Sequence, residues 1–272
     1  MDRKIRVGAV SYLNTKPLIY GLQQGMMKDQ VELTIDYPAN IAAALLNDEI
    51  DVGLIPVAII PELAYHEVIS DYCISSDGEV ASVCVFSEKP IAEIEKILLD
   101  YQSRTSVELV QILIRDFWKT NAVFEMADLN FREKIKGNTA AVVIGDRAFE
   151  QRKISRYSYD LAQAWKQLTG LPFVFATWVS NKPLPAKFTR DFNAANEFGL
   201  TNIQAVVRDN PYELFDLESY YTKYINYRLL ASNREGMNEF LKRIAKNFVK
   251  EPINKYNAEN KPKNDNFAPN FK

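Results

Sequence analysis

Small polar residues and one glycine cluster in four short stretches of the sequence, each at the end of an apolar run or at the start of a helical one. The candidate site residues in these stretches are Ser11, Asn14, Ser82, Thr105, Ser106, Gly145 and Asp146. Backbone N–H groups at such positions bind carboxylates through free hydrogen-bonding capacity and the helix dipole, and neighbouring hydroxyl groups add further hydrogen bonds. The pattern therefore indicates a site for an anion with two carboxylates, with no arginine required.

Helix capping is an ordinary structural explanation for the same residues. Ser, Thr and Asn at the start of a helix each stabilise it by about 1 kcal/mol. Asp146 fits the cap of the helix that follows it, while Lys16 and Arg104 fit solvated surface charges as well as groups that steer an anion. The recurrence of four clusters at predicted strand or helix ends favours a ligand site, and both explanations stay open.

Metal, nucleotide and histidine-based centres lack their sequence signatures. The one histidine, His66, has no Ser, Cys or Asp motif beside it, so we expect it to be structural or at the surface. Cys73 and Cys84 lie in apolar stretches and are expected to be small buried side chains. Because the sequence has no phosphate-binding glycine loop and no H-E-x-x-H or paired C-x-x-C, we expect neither a metal nor a cofactor.

Charge and hydropathy restrict the partners. The 33 Lys and Arg residues nearly balance the 35 Asp and Glu residues, and a net charge of −2 lacks the basic excess of a nucleic-acid-binding protein. The sequence has no apolar run long enough to cross a membrane, and MDRKIRV leads into a strand without the apolar stretch of a secretory signal. We therefore expect a cytoplasmic protein that binds a small molecule, with no nucleic-acid or membrane partner and with its oligomeric state open.

Strands and helices alternate from Ile5 to Val57. The pattern predicts strands at 5–10, 31–37 and 51–57 and helices at 16–22 and 38–46. This order is typical of an open parallel α/β sheet, in which ligands bind at the carboxyl ends of the strands. The stretch Ser11–Thr15 would lie at that edge.

A second α/β unit follows. Its predicted strands are 94–100 and 140–144 and its predicted helices are 105–120 and 159–169, whereas the strand predicted at 80–87 precedes this unit. A strand at 173–179 is predicted to return to the first unit, followed by helices at 185–198, 202–208, 211–230 and 234–249.

Two α/β units joined by two crossings predict two lobes. The first lobe comprises residues 1–88 and 178–250 and the second comprises residues 89–177, around a central cleft that is the expected ligand site. The Asn-rich residues 251–272 can bury little and are predicted to form a loosely ordered tail.

Six motifs, in order along about residues 5–180, carry a resemblance to a known family. They are IRVGAVSYLNTKPLIYGL, LLNDEIDVGLIPV, SSDGEVASVCVFS, SRTSVELVQILI, VIGDRAF and YDLAQAWKQLTGLPFVFATWV. In combination they resemble the chorismate dehydratases (MqnA) of the MqnA/MqnD family, which serves the futalosine route to menaquinone. The resemblance implies a periplasmic-binding-protein type II fold used as a cytosolic hydro-lyase. It also implies that chorismate is dehydrated to 3-[(1-carboxyvinyl)oxy]benzoate without a cofactor.

The resemblance further implies roles for individual residues. Asn14 and Ser82 correspond to catalytic residues of the family, and Thr105 and Ser106 bind a carboxylate of the substrate. The matched motifs contain no convincing His or Glu base for the C3 proton. Our hypothesis is that the enolpyruvyl carboxylate of the substrate accepts this proton while Asn14 and Ser82 hold its orientation.

Three other functions are compatible with such a fold. They are the sister enzyme that makes 1,4-dihydroxy-6-naphthoate, a non-catalytic cytosolic protein that binds a small anion, and the ligand-sensing domain of a regulator. The TGLPFVFATW and SRTSV stretches resemble the dehydratase more than its sister enzyme. The missing secretory signal argues against a transport receptor, and the missing helix-turn-helix segment argues against a regulator.

Overall fold

The computed structural model describes residues 3–250, with side chains up to residue 246, and within this range the chain forms eleven strands. In chain order these are β1 (Ile5–Val10), β2 (Val31–Asp36), β3 (Val52–Pro56), β4 (Glu67–Ser76), β5 (Val83–Ser87), β6 (Lys96–Leu99), β7 (Val123–Met126), β8 (Thr139–Ile144), β9 (Tyr157–Asp160), β10 (Phe173–Ser180) and β11 (Asn226–Arg228).

The strands form two sheets. The first has the order β11-β4-β10-β3-β1-β2, and the second has the order β7-β6-β8-β5-β9. In the first sheet β1 pairs in parallel with both β2 and β3, which confirms the predicted strand–helix alternation of the N-terminal part. In the second sheet β6 pairs in parallel with β7 and β8. Both sheets are mixed, since β10 and β5 each pair antiparallel with two neighbours.

Helices cover the sheets. Within the described range the α-helices are α1 (Lys16–Gln23), α2 (Pro38–Leu46), α3 (Thr105–Leu113), α4 (Asp146–Ile154), α5 (Leu161–Thr169), α6 (Ala186–Thr201), α7 (Ile203–Asp209), α8 (Leu217–Ser219) and α9 (Ala231–Lys250). Two π-helical turns occur at Ile114–Trp118 and Tyr220–Tyr224. The 3-10 turns lie at Leu13–Thr15, Val57–Glu62, Ile91–Glu93 and Phe131–Lys134.

The core of the first lobe centres on strands whose residues are buried throughout. Every residue of β3 and β10 is buried, as their continuous apolar sequences predict for central strands covered on both faces. Helices α1 and α6 pack in close contact at Gly199. A Cβ at this position would lie 1.8 Å from the Pro17 carbonyl oxygen, so only glycine allows the approach. This close approach anchors the helix that follows the Ser11–Thr15 stretch.

The predicted long helix at 211–230 is wrong. The chain there forms the short α8, a π-helical turn and the edge strand β11. Three of its aromatic rings, Tyr212, Phe215 and Tyr220, pack on Phe149 of α4, the last two at centroid distances of 4.4 and 5.0 Å. These contacts with the second lobe override a regular helical period.

The boundaries of several other elements differ from prediction. Strand β9 extends to Asp160 and α5 begins only at Leu161, because the Asp160 carboxylate accepts hydrogen bonds from the first turn of that helix. The predicted helix 105–120 is α-helical to Leu113 and then continues as a π-helical turn. Strands β4, β7 and β9 were not predicted.

The predicted lobe boundaries at 88 and 178 are also wrong. Strand β5 belongs to the second sheet, so the chain crosses between Ser76 and Val83. It returns to the first sheet before Phe173. The polar tail predicted at 251–272 lies outside the described residues.

Candidate functional site

A cavity lies between the two lobes, at the carboxyl ends of β1, β3 and β8. The empty space inside it and at its open mouth amounts to about 550 Å³. The lining residues are all uncharged, and the polar ones are Tyr12, Asn14, Gln102, Ser103, Thr105 and Ser106. A wider groove along Tyr221–Tyr227 on the outer face contains none of the predicted site residues.

Asn14 lines the cavity from the 3-10 turn Leu13–Thr15. The turn is fixed on both sides: the Leu13 N–H donates to Asp146 Oδ1 at 3.2 Å, and the Tyr227 hydroxyl donates to the Asn14 carbonyl at 2.8 Å. Neither bond uses the Asn14 side chain. Its amide is therefore presented to the cavity by a backbone that other elements hold in place.

Ser82 lies next to the cavity but does not line it. Val80 and Val83 are lining residues, whereas Ser82 is fully buried, and its Oγ accepts a 2.7 Å hydrogen bond from the Tyr220 hydroxyl. The Asn14 side chain lies near the same phenol and influences its pKa, so the three groups are neighbours. Sequence motifs identified Asn14 and Ser82 but not the tyrosine between them.

The backbone before Ser82 makes a rare turn. Ala81 has φ of +65°, and the Ser82 N–H donates to the Val80 carbonyl at 2.8 Å, which closes a three-residue γ-turn of the strained kind. The Asp160 carboxylate accepts from the Val80 and Ala81 N–H groups at 3.1 and 2.8 Å. Arg152 Nε donates to the Ala81 carbonyl at 2.8 Å. Strain at this point is thus held by charged groups of the second lobe.

Thr105 and Ser106 both line the cavity at the first turn of α3, but their hydroxyl groups differ. The Thr105 hydroxyl donates to the Phe175 carbonyl at 3.1 Å and accepts from the Ala58 N–H at 3.3 Å, so it joins the two lobes. The Ser106 hydroxyl has no hydrogen bond with any other residue of the described range. Of the two side chains, Ser106 is therefore the one available to a ligand.

Gly145 also lines the cavity, immediately before α4. Its φ is +66°, and a Cβ there would lie 2.9 Å from ring atoms of Tyr12, so both backbone and packing require glycine. The N-termini of α3 and α4 thus open on one cavity. They supply partial positive charge to a space whose lining bears no charged side chain.

Asp146 and Ser11 are not lining residues. The Asp146 carboxylate accepts from Leu13 instead of capping α4, and burial raises the pKa of this carboxyl to about 6. Ser11 is partly buried, and its N–H donates to the Asp36 carbonyl at 3.0 Å in continuation of the β1–β2 pairing. The structure therefore brings Asn14, Thr105, Ser106 and Gly145 to the cavity and leaves Ser11, Ser82 and Asp146 outside its lining.

The capping explanation does not account for the clusters. Thr15 and Arg104, which precede α1 and α3, make no side-chain capping hydrogen bond. Ser103 does make a capping hydrogen bond at the start of α3, since its Oγ accepts from the Ser106 N–H at 3.0 Å. Ser103 lies within the cavity lining but was not predicted.

A further polar group at the cavity was also not predicted. The buried Tyr12 hydroxyl donates to Gln102 Oε1 across the cleft, close to Arg147. Arg147 pairs with the fully buried Asp100 at 2.7 Å, so its positive charge is largely neutralised. These residues are far apart in the sequence, and no local pattern marks them. Their association depends on the packing of the two lobes.

The remaining predictions about single residues have definite outcomes. His66 is exposed and directly precedes β4, which confirms a surface position. Cys73 and Cys84 are buried free thiols, as expected. In residues 3–250 no helix has the length and apolar character needed to span a membrane. In the same range no group of three or more His, Cys, Asp or Glu side chains is arranged to bind a metal ion.

Known structures share this two-lobed architecture. The protein AF1704 from Archaeoglobus fulgidus matches with a TM-score of 0.72 and 15% identity, over 90% of this chain and 98% of that one. The periplasmic aliphatic sulphonate binding protein SsuA from Escherichia coli matches with a TM-score of 0.60 and 12% identity, over 92% and 94% of the two chains. The fold is that of the periplasmic binding proteins, which confirms the predicted fold class.

The chain belongs to the menaquinone biosynthesis family, whose model matches residues 5–246. A curated relative, the chorismate dehydratase of Thermus thermophilus, is 24% identical over 268 residues, which cover 89% of this chain and 96% of the relative. These two matches confirm the resemblance drawn from the sequence motifs.

Proposed function

We propose that this protein is a chorismate dehydratase, a cofactor-independent hydro-lyase that converts chorismate to 3-[(1-carboxyvinyl)oxy]benzoate and water in the cytoplasm. The observation that carries the proposal is the convergence of the α3 and α4 N-termini, opposite Asn14, on one uncharged cavity. Chorismate has two carboxylates, which such a cavity can bind through hydrogen bonds and helix dipoles. Membership of the menaquinone biosynthesis family and similarity to a chorismate dehydratase support the same reaction.

The reaction requires loss of the C3 proton and of the C4 hydroxyl group, after which the ring is aromatic. Negative charge that develops at C3 spreads toward the ring carboxylate, because the C3 hydrogen is vinylogous to it. We assign that carboxylate to the first turn of α3, where Ser106 and backbone N–H groups would stabilise the charge. The gain of aromaticity supplies the driving force, so positioning and a modest base are sufficient.

The cavity lining supports a base that comes from the substrate. Tyr12 is the titratable side chain in the lining, and burial raises its pKa above the ordinary tyrosine value. A phenol with a raised pKa stays protonated and cannot act as the base. We therefore assign proton abstraction to the enolpyruvyl carboxylate of chorismate, with Asn14 and Ser82 as the catalytic residues that orient it.

Incubation of the purified protein with chorismate tests the proposal directly. We expect the aromatic product to accumulate without an added metal or cofactor, as followed by absorbance and by mass. Binding of chorismate without turnover would indicate a non-catalytic anion-binding protein. Turnover only of the larger substrate of the 1,4-dihydroxy-6-naphthoate synthase would assign the chain to the sister enzyme.

A further inference from the structure

The hydroxyl group of Tyr220 lies close to both residues to which we assign the reaction. Tyr220 is 1% exposed, and its hydroxyl donates to Ser82 Oγ at 2.7 Å. The Asn14 side chain lies near the same hydroxyl and influences its pKa. Asn14 follows β1 of the first sheet, whereas Ser82 precedes β5 of the second. One phenol therefore lies beside one residue from each lobe.

The direction of the Tyr220–Ser82 hydrogen bond determines which proton is engaged. Burial raises the pKa of Tyr220, so the phenol keeps its proton, and its O–H donates to Ser82 Oγ at 2.7 Å. A serine hydroxyl that accepts this bond directs its own proton elsewhere. Ser82 donates to no acceptor within residues 3–250, so its proton is not engaged by another described residue.

The ring of Tyr220 is held independently of its hydroxyl. It packs edge-on against Phe149 at a centroid distance of 5.0 Å and against Phe215 at 6.0 Å. A phenylalanine in its place would keep these aromatic contacts and remove only the hydroxyl. The contribution of the hydroxyl can thus be measured apart from that of the ring.

We propose that Tyr220 is a positioning residue for the dehydration, which orients Ser82 as a hydrogen-bond donor toward the carboxylate of the substrate. The inference rests on the proposed function, because the group that is oriented is the carboxylate assigned as the base. Tyr220 does not line the cavity, whereas Ser82 directly precedes the lining residue Val83, so Tyr220 acts through Ser82 and not by contact with the substrate. Loss of its hydroxyl should slow the chemical step more than it weakens binding.

Steady-state kinetics of Tyr220→Phe in the full chain test this role. We expect kcat for chorismate to fall about 10-fold or more, the effect of losing one hydrogen bond that matters in the transition state, while KM changes little. Tyr221→Phe is the matched control. Tyr221 is the adjacent residue and is 2% exposed, but its hydroxyl has no hydrogen-bond partner among the described residues. This control should retain the kcat of the unmodified protein.

A double-mutant cycle shows whether the effect passes through Ser82. If Tyr220 acts by orienting Ser82, then Ser82→Ala combined with Tyr220→Phe should be no slower than Ser82→Ala alone. Unchanged kcat in Tyr220→Phe, or additive losses in the double variant, would overturn the positioning role while leaving the proposed function intact. If the unmodified chain forms no aromatic product from chorismate, the proposed function fails and the role of Tyr220 fails with it.

Discussion

Hydrogen bonds with Asp146 and Tyr227 hold the backbone of Leu13 and Asn14 in place. The carboxylate of Asp146 holds the N–H of Leu13, and the hydroxyl of Tyr227 holds the carbonyl of Asn14 itself. The side-chain amide is thereby left to the cavity, with its Oδ1 accepting from the Thr15 hydroxyl at 3.4 Å. At the scale of single residues, the site separates groups that position the backbone from groups that face the ligand.

This separation makes Asn14→Ala an informative variant. The fold should persist, because the bonds that hold the turn use backbone atoms of residues 13 and 14. Dehydration of chorismate should fall about 100-fold or more, the usual effect of removing a preorganised donor. Product formation and thermal melting should be measured together, with the exposed Asn40→Ala as the control. A folded Asn14→Ala protein with full activity would contradict the assignment.

The buried carboxyl of Asp146 should make stability depend on pH. Its pKa is about 6 in the folded protein and 3.8 as an ordinary aspartate, so between these values the folded state binds more protons. Its stabilising contribution is therefore present at pH below 3.8 and lost as the pH rises through about 6.

Asp146→Asn removes this titration and leaves an oxygen that can accept from Leu13. The melting temperature of the variant should rise relative to that of the parent between about pH 4 and about pH 7, because only the parent must ionise a buried carboxyl in that interval. Melting curves of both proteins across this range provide the test. A constant difference between them would show that the Asp146 carboxyl titrates normally.

At the scale of elements, the connection between β4 and β5 determines where Ser82 lies. Its γ-turn at Ala81 is held by two N–H bonds to Asp160, and the same carboxylate accepts the N–H groups of Ala162 and Gln163 at the start of α5. One side chain therefore fixes both the strained turn before Ser82 and the start of a helix.

Asp160→Ala should destabilise the protein by about 3 kcal/mol, since it removes a helix cap and leaves two further N–H groups of the turn unsatisfied. Asp216→Ala is the matched control, because Asp216 is exposed and caps only α8 through the Glu218 N–H. The control should lose about 1 kcal/mol or less. Urea unfolding of both variants measures the difference, and equal losses would show that the Ala81 turn does not depend on Asp160.

At the scale of the whole molecule, the segment that leads into β11 joins the two lobes beside the site. Phe149 of α4 is 1% exposed and contacts Phe215, Tyr220 and Tyr212 of this segment. The Tyr212 hydroxyl also donates to the Asp146 carbonyl at 3.1 Å. These aromatic contacts between the lobes, which we call the aromatic junction, therefore help to hold the site residues in place.

Phe149→Ala should lower both stability and catalysis. Replacing a buried phenylalanine by alanine lowers the free energy of unfolding by about 3–5 kcal/mol. The empty space left by the Phe149 ring would lie against Tyr220. Phe192→Ala is the control, because Phe192 is equally buried but packs on Trp178, away from the cavity lining. Both variants should be less stable in urea, but only Phe149→Ala should show a reduced kcat for the folded protein. Equal kcat values would place the junction outside the mechanism.

Much of the architecture could be predicted because it follows local periodicity. The alternation of apolar strands and helices from Ile5 to Val57 predicted the parallel β1, β2 and β3. The apolar run at 173–179 similarly predicted β10 in the first sheet. Residues 211–230 could not be predicted, because their conformation depends on contacts with Phe149, more than 60 residues earlier in the sequence.

The sequence by itself determined the fold class, the family and the segments that meet at the cleft, because these depend on periodicity and on motifs that are contiguous in the chain. Only the tertiary structure decided which side chains of those segments reach the cavity. It placed Asn14 and Ser106 in the lining, directed the Thr105 hydroxyl to the backbone of the other lobe, and joined Ser82 to Tyr220. Hydrogen bonds between residues 47 to 138 positions apart select these orientations, and the residues adjacent in the sequence do not identify such distant partners.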